Sequence, residues 1–228
     1  MKIVKLSFVL MLYTTIAFSQ EVSFERPDFS AIDKAIKDKK SGFYYNDLLN
    51  KLKNRDTTFS TVEFKHLYFG RLLQKDYSPF ERSDKDEEIL AYFRKENLSE
   101  SDYPVIIDLI TKDLEIHPFD LRKMNFLIYI YHLSKRDDEA KKLNYFFRGF
   151  INTILSSGDG KTCETGLVVN EVSHEYVLLN LFQLEQESQS LTGNCDYQSF
   201  EKGKYKIDGL YFSIDKILEA EQKTLFGK

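Results

Sequence analysis

Between Asp28 and Leu155 apolar residues recur three and four positions apart, and at Ser156, Ser157, Gly158, Asp159 and Gly160 that pattern stops. This change of period constrains the fold more than any other feature, because 3.6-residue spacing puts apolar side chains on one face of a helix. The clearest stripe is the last, formed by Ala140, Leu143, Phe147, Phe150, Ile151 and Ile154. Leu121 to Leu133 is apolar nearly all round, with Met124, Phe126, Leu127, Ile128, Ile130 and Tyr131, the pattern of a helix buried between neighbours. Val105 to Ile116 predicts a helix with Ile106, Leu109 and Ile110 inward and Asp108, Lys112 and Asp113 outward. Earlier helices are predicted over 31–39, 44–53, 61–74 and 85–96. Ser101 and Asp102 before Pro104 form a helix start, and His117 before Pro118 forms a stop, since proline pushes the residue before it out of the helical region. Asp137 and Asp138 can open the next helix. The short connections suit antiparallel helix pairs.

Beyond Leu155 the glycines and serines end the helix, and strand-forming residues follow. Leu167, Val168, Val169 and Val172, then Tyr176, Val177, Leu178 and Leu179, predict two strands joined tightly through Ser173, His174 and Glu175. Tyr205 and Ile207, then Leu210, Tyr211, Phe212 and Ile214, predict one or two more, and Asp215 to Leu225 a closing helix. The expected class is therefore α+β: helical hairpins over 20–155, then a small antiparallel sheet and a C-terminal helix over 156–228. Two to four short strands are marginal alone, so this last region is expected to pack on the helices.

Residues 1–19 have the three-part layout of an export signal. Met1, Lys2 and Lys5 form a basic start, Leu6 to Phe18 an apolar run, and Ala17 and Ser19 the small residues of a cleavage site. The run is shorter than the roughly 20 apolar residues of a spanning helix and contains Thr14 and Thr15. Cleavage after Ser19, a periplasmic or secreted location and no membrane span after cleavage are the expectation. With 32 basic and 36 acidic residues the whole chain carries a formal charge of −4, and two of the bases lie in the signal. Mixed signs with an acidic excess give no electrostatic footprint for nucleic acid.

Two resemblances add to this. From Glu87 to Ile154 the chain resembles degenerate tetratricopeptide-type repeats, with Pro118 closing one unit and Ala140 at the small position of the next, although large aromatics such as Phe146 and Phe147 replace much of the small-residue pattern. The last third carries Gly158-Asp159-Gly160-Lys161 with Glu164, Thr165 and Val168 beyond, Glu175-Tyr176 before an apolar run, Ser188-Gln189-Ser190-Leu191, and Leu210-Tyr211-Phe212. By these residues the chain resembles a family of exported proteins of Bacteroidetes-type bacteria, known only as domain of unknown function four-nine-one-nine. The resemblance implies an envelope or secreted setting and no particular activity.

Each residue type that could carry chemistry has a plainer account. Gly160-Lys161-Thr162 matches the end of a phosphate-binding loop, but Leu155 stands where the first glycine belongs and the segment follows a helix instead of a strand. Cys163 and Cys195 are the only cysteines, and an even count in an oxidising compartment favours a disulfide. Inert thiols, or a Cys163 nucleophile served by His174, are the alternatives. His66, His117, His132 and His174 are scattered without zinc-ligand spacing, and Glu63 with His66 is a lone Glu-x-x-His pair where a di-iron bundle needs two. No metal and no cofactor are expected. Asp84, Asp86, Glu87 and Glu88 suit a solvated helix start, and Glu171 and Glu175 the exposed face of a hairpin. Most of the 19 Phe fall at helical core spacing, while the 14 Tyr could serve as sugar-stacking platforms, a reading that the absence of Trp weakens. The function expected is a non-catalytic binding or structural module of the cell envelope, meeting an unknown protein or peptide partner. Its contact residues are sought at Gly158, Asp159, Gly160, Lys161 and Glu164, because a glycine-rich loop on a rigid support presents backbone groups. The alternative is an envelope hydrolase with its site near the Gly158 to Thr165 turn.

Overall fold

The computed structural model describes residues 24–226, so the expected export signal at 1–19 lies outside the described residues. Seven helices come first: α1 (Phe29–Lys37), α2 (Tyr45–Lys53), α3 (Thr61–Arg71), α4 (Asp86–Phe93), α5 (Asp102–Ile116), α6 (Leu121–Leu133) and α7 (Asp137–Leu155). Their starts are written in short polar side chains. Asp28 accepts from the Ser30 and Ala31 amides, Asp120 accepts from the Lys123 amide, and Ser60 with Glu63 forms a reciprocal capping box. The α7 stripe faces inward as its spacing requires, burying Ala140, Leu143, Phe147, Phe150, Ile151 and Ile154 together with Phe146. It meets α3 through Phe64, whose ring lies against Phe146 and Phe150, and α6 on its other side. A β-carbon on Gly149 would enter the Phe64 ring, so this glycine sets how closely α7 and α3 approach.

The second half holds β1 (Leu167–Val168), α8 (Val172–Leu181), β2 (Gln186–Thr192), β3 (Cys195–Phe200), β4 (Gly209–Ser213) and α9 (Asp215–Phe226). The strands form one sheet in the order β1-β4-β3-β2. It is antiparallel through β4, β3 and β2, with Tyr197 opposite Tyr211 and Gln189 opposite Gln198, and β1 joins the β4 edge in parallel. The α+β class therefore stands, with a mixed sheet.

Three local expectations are corrected. The hairpin through Ser173, His174 and Glu175 is instead α8. This helix is buried on most sides, with His174, Glu175, Val177, Leu178 and Leu179 all inside, so it has no polar face to reveal a helical period. Tyr205 to Ile207 is a loop, not a strand, and the Tyr205 hydroxyl ties it to the turn after α8 by accepting from the Glu185 amide and donating to the Gln183 carbonyl. Asp113, expected outward, is buried.

The sheet is anchored to the helices by polar contacts at the break in period. The Arg26 guanidinium donates to the carbonyls of Ser157 and Gly166, and the Val168 amide donates to the Ser157 hydroxyl at 2.8 Å. Cys163 and Cys195 form a disulfide with their Cα atoms 5.6 Å apart, pinning the loop after α7 to the start of β3. Among the described residues no helix is long and apolar enough to cross a membrane.

Candidate functional site

Where α2, the end of α3, the 76–86 segment, the α5–α6 connection and the start of α8 converge, they enclose an open polar cleft of about 320 Å³. Its rigidity begins in a buried charge cluster. The Lys123 ammonium, in the first turn of α6, lies 2.6 Å from Asp113, 2.7 Å from Asp86 and 3.4 Å from Asp120. Ser83 donates to Asp113 through its hydroxyl and to Asp86 through its amide, closing the cluster. Burial alone would lower the Lys123 pKa, but Asp120 and the bonds to Asp113 and Asp86 outweigh it and hold it above the usual lysine range. Burial likewise opposes ionisation of Asp120, yet Arg122 and Lys123 hold its pKa below the usual carboxylate range.

The back wall is a second network, built on Tyr68 of α3. The Phe119 carbonyl can only accept, so His174 Nε2 carries the ring proton and donates it at 2.9 Å. Nδ1 of the neutral ring therefore accepts from the Tyr68 hydroxyl at 2.7 Å, and that hydroxyl in turn accepts from the Asn170 amide. Burial pushes His174 down to about 4, and the ring is neutral at physiological pH. The Asn170 amide group donates to the Tyr68 carbonyl, and the Tyr77 hydroxyl donates to the Asn170 carbonyl. Among the described residues the side-chain oxygen of Asn170 is buried without a partner. Next to it Glu171 accepts from the Ser173 hydroxyl and keeps about a third of its side chain exposed (32%). Desolvation, then the nearby Asp120 charge, push its carboxyl up to about 7. On the facing wall Arg71 pairs with Asp76 at 2.9 Å and Glu81 at 3.5 Å and lies over the Tyr77 ring.

The turn at 158–165 is a different kind of structure. A β-carbon on Gly158 would strike the Thr165 carbonyl, and Gly160 has φ +68°, so both glycines serve the turn's path. The Gly160 amide donates to the Thr165 carbonyl, and its own carbonyl accepts from the Tyr211 amide. Asp159 accepts from the Lys161 amide and pairs with the Lys161 ammonium at 3.3 Å. Glu164 is exposed.

A model of a domain of unknown function, DUF4919, matches residues 30–223. The chain belongs to the DUF4919 family. No curated protein and no solved structure matches it. The family assignment carries no activity, so any role for this DUF4919 chain has to come from its own geometry.

Several residues expected to matter fall elsewhere. The Cys163 nucleophile is excluded, because its sulfur is bonded to Cys195, and His174 faces Tyr68 and Phe119. Glu63 caps α3 and pairs with Lys51, while His66 bonds the Val62 carbonyl and stacks on Phe43. His132 pairs with Asp137 at the surface, and among the described residues no metal-binding group of three ligands forms. Asp86 is not only part of a solvated helix start; it also binds Lys123. Glu171 and Glu175 do not share an exposed strand face: Glu171 lines the cleft at the start of α8, and Glu175 is buried under the sheet. Sequence reasoning missed Lys123, Asp113, Asp120, Asn170 and Tyr68. The one signal for any of them is Asp120 three residues before Lys123, a helix-cap spacing that says nothing of the partners across the fold.

Proposed function

We propose that this protein is an exported, non-catalytic binding module, and that the cleft in front of α8 is where a protein or peptide partner in the cell envelope engages. The observation that carries this reading is the pairing of Glu171 and Asn170. On walls where Lys123, Arg71 and Arg122 are held by neighbouring carboxylates, an accessible carboxyl and a buried side-chain oxygen stand, among the described residues, without a donor of matching charge. A rigid cleft with a few unsatisfied polar groups is what a recognition site needs. The residues at 158–164 are retained as a second contact candidate, although turn-building accounts for Gly158, Gly160 and Asp159. The export reading is supported by the signal-like start and by the disulfide, a bond favoured in oxidising compartments.

A hydrolase reading draws on one specific observation, a carboxyl near pH 7 in an open cleft, which is the range of a general acid or base. The two separate in one experiment. Immobilised full chain is used to capture partners from envelope extract, beside Glu171→Gln, Arg122→Ala and Asp159→Asn variants and a broad hydrolase screen. The binding reading expects a partner kept by Asp159→Asn and lost with the two cleft variants. A turnover abolished by Glu171→Gln, or a partner lost only on changing the turn, would overturn it.

A further inference from the structure

The cleft has an excess of acceptors, and the excess is local. Each of its buried or half-buried cations is already engaged: Lys123 by Asp86, Asp113 and Asp120, and Arg71 by Asp76 and Glu81. Arg122 lies 3.5 Å from Asp120, and Lys53, on the α2 side of the cleft, is exposed to solvent. Among the described residues Glu171 has no Lys or Arg nitrogen within 4.0 Å: Arg122 and Lys123 act on it from farther away, and the basic atom at that distance is His174 Nε2, whose proton is committed to Phe119. Beside it Asn170, a residue 1% exposed, belongs to the same lining, and its buried side-chain oxygen has no donor among the described residues. A carboxylate without a cation in contact and a buried oxygen without a donor call for a group that is both positive and rich in donors. Leu49, Tyr77, Ile116 and Pro118 add apolar surface, which suits a methylene stem. Single acceptors on different side chains match the compact, three-donor ammonium of lysine better than the flat fork of arginine, which prefers both oxygens of one carboxylate.

We propose that the cleft receives a lysine side chain of the partner, its ammonium seated against the Glu171 carboxylate with the Asn170 side-chain oxygen as second acceptor. This rests on the cleft being the binding site. Around Glu171 stand Ser173 and His174 of α8, Asp120 of the α5–α6 connection, Arg122 and Lys123 of α6, Tyr68 of α3 and Tyr77 of the 76–86 segment. With the carboxyl raised to about 7, the ammonium binds its ionised form, so affinity falls as Glu171 gains a proton below that pH.

The test is an amide-detected NMR titration of the full chain with Nα-acetyl-lysine amide, and with Nα-acetyl-norleucine amide as a neutral stem of similar length. Shifts centred on Asn170, Glu171 and Ser173 are expected with the lysine probe, with binding about tenfold tighter at pH 8 than at pH 6. Glu171→Gln should weaken binding at pH 8 at least about tenfold and flatten that slope. A carboxyl-carbon titration of intact protein needs no variant: the lysine probe should lower the Glu171 pKa. Equal binding of the norleucine probe, no shifts at these residues with the lysine probe, or an unmoved Glu171 pKa would each overturn the lysine proposal. The cleft as partner site fails separately, if the captured envelope partner survives both Glu171→Gln and Arg122→Ala.

Discussion

At the residue scale the fold places ionisable groups where their charge depends on one another. Lys123 neutralises the buried carboxylates of Asp113 and Asp120, so Lys123→Met should cost about 3 to 5 kcal/mol, because Asp113 is left buried without a counter-ion and Asp120 keeps only Arg122. Urea unfolding reads this directly, and a loss under about 1 kcal/mol would show that the cluster does not depend on the lysine. Glu175 has the opposite character. Burial, helped by the neighbouring Asp196 carboxyl, pushes it up to about 8, against the bond donated by Gln198. Its free oxygen and that of Gln198 are both buried acceptors without a donor, and the proton Glu175 retains is a donor they lack. A carboxyl raised in the folded state stabilises fully below its ordinary pKa near 4.5, and the contribution is lost as pH rises through about 8. His174, lowered to about 4, contributes above its ordinary 6.5 and is lost as pH falls through 4. Glu171, raised to about 7, adds to the alkaline side, so two carboxyls lose stability with rising pH where one histidine gains it, and stability should be greatest near 4.5 and decline on both sides. Glu175→Gln keeps a neutral partner for Gln198 and should lessen only the alkaline decline, leaving the share of Glu171. An alkaline decline as steep in the variant as in the intact protein would assign it to other groups.

At the scale of elements the disulfide is the strongest local constraint, since its two cysteines are 32 positions apart and lie on either side of α8 and β2. A closed loop of this length contributes about 3 to 4 kcal/mol in the chain-entropy model. Reduction should lower the urea midpoint accordingly, and a Cys163→Ser, Cys195→Ser variant should match the reduced protein; no change on reduction would mean that the sheet holds itself. The helices were legible because each buries one stripe: α6 begins and ends where its sequence said, and the α7 stripe is inside. α8 was not, since burial on most sides removes the polar face that gives a helix its period. β2 was hidden for the opposite reason. Gln186 to Thr192 is exposed throughout and has Leu191 as its only large apolar residue, so its backbone pairing with β3, not burial, makes it a strand. The cleft was illegible because Asp113 and Lys123 resemble solvated charges until α5 and α6 pack side by side. The disulfide was legible from cysteine count and compartment alone.

At the scale of the whole molecule the change of period at Ser156 divides the sequence more sharply than it divides the structure. The core is one connected cluster that runs from Ile32 of α1 to Ile217 of α9, with Leu167, Val168 and Phe212 of the sheet in it. The links across the break are specific. Tyr68 of α3 holds Asn170 and His174, Phe119 receives the His174 proton, and Arg26 bonds carbonyls at both ends of the 157–166 turn. Removing either half would strip buried polar groups of their partners, each at a cost of about 1 to 3 kcal/mol, besides exposing apolar core. A four-stranded sheet with β2 fully exposed and a two-residue β1 has little apolar surface to offset that. The chain is therefore expected to unfold in one step, with circular dichroism at helix wavelengths and near-ultraviolet tyrosine signals giving the same urea midpoint. A fragment of residues 156–228 should stay unfolded even with its disulfide formed, while Tyr68→Phe, which deprives the Asn170 amide of its acceptor and His174 of its donor, should shift both midpoints together. Two separated transitions, or a folded 156–228 fragment, would show instead that the boundary in the sequence is also a boundary of stability.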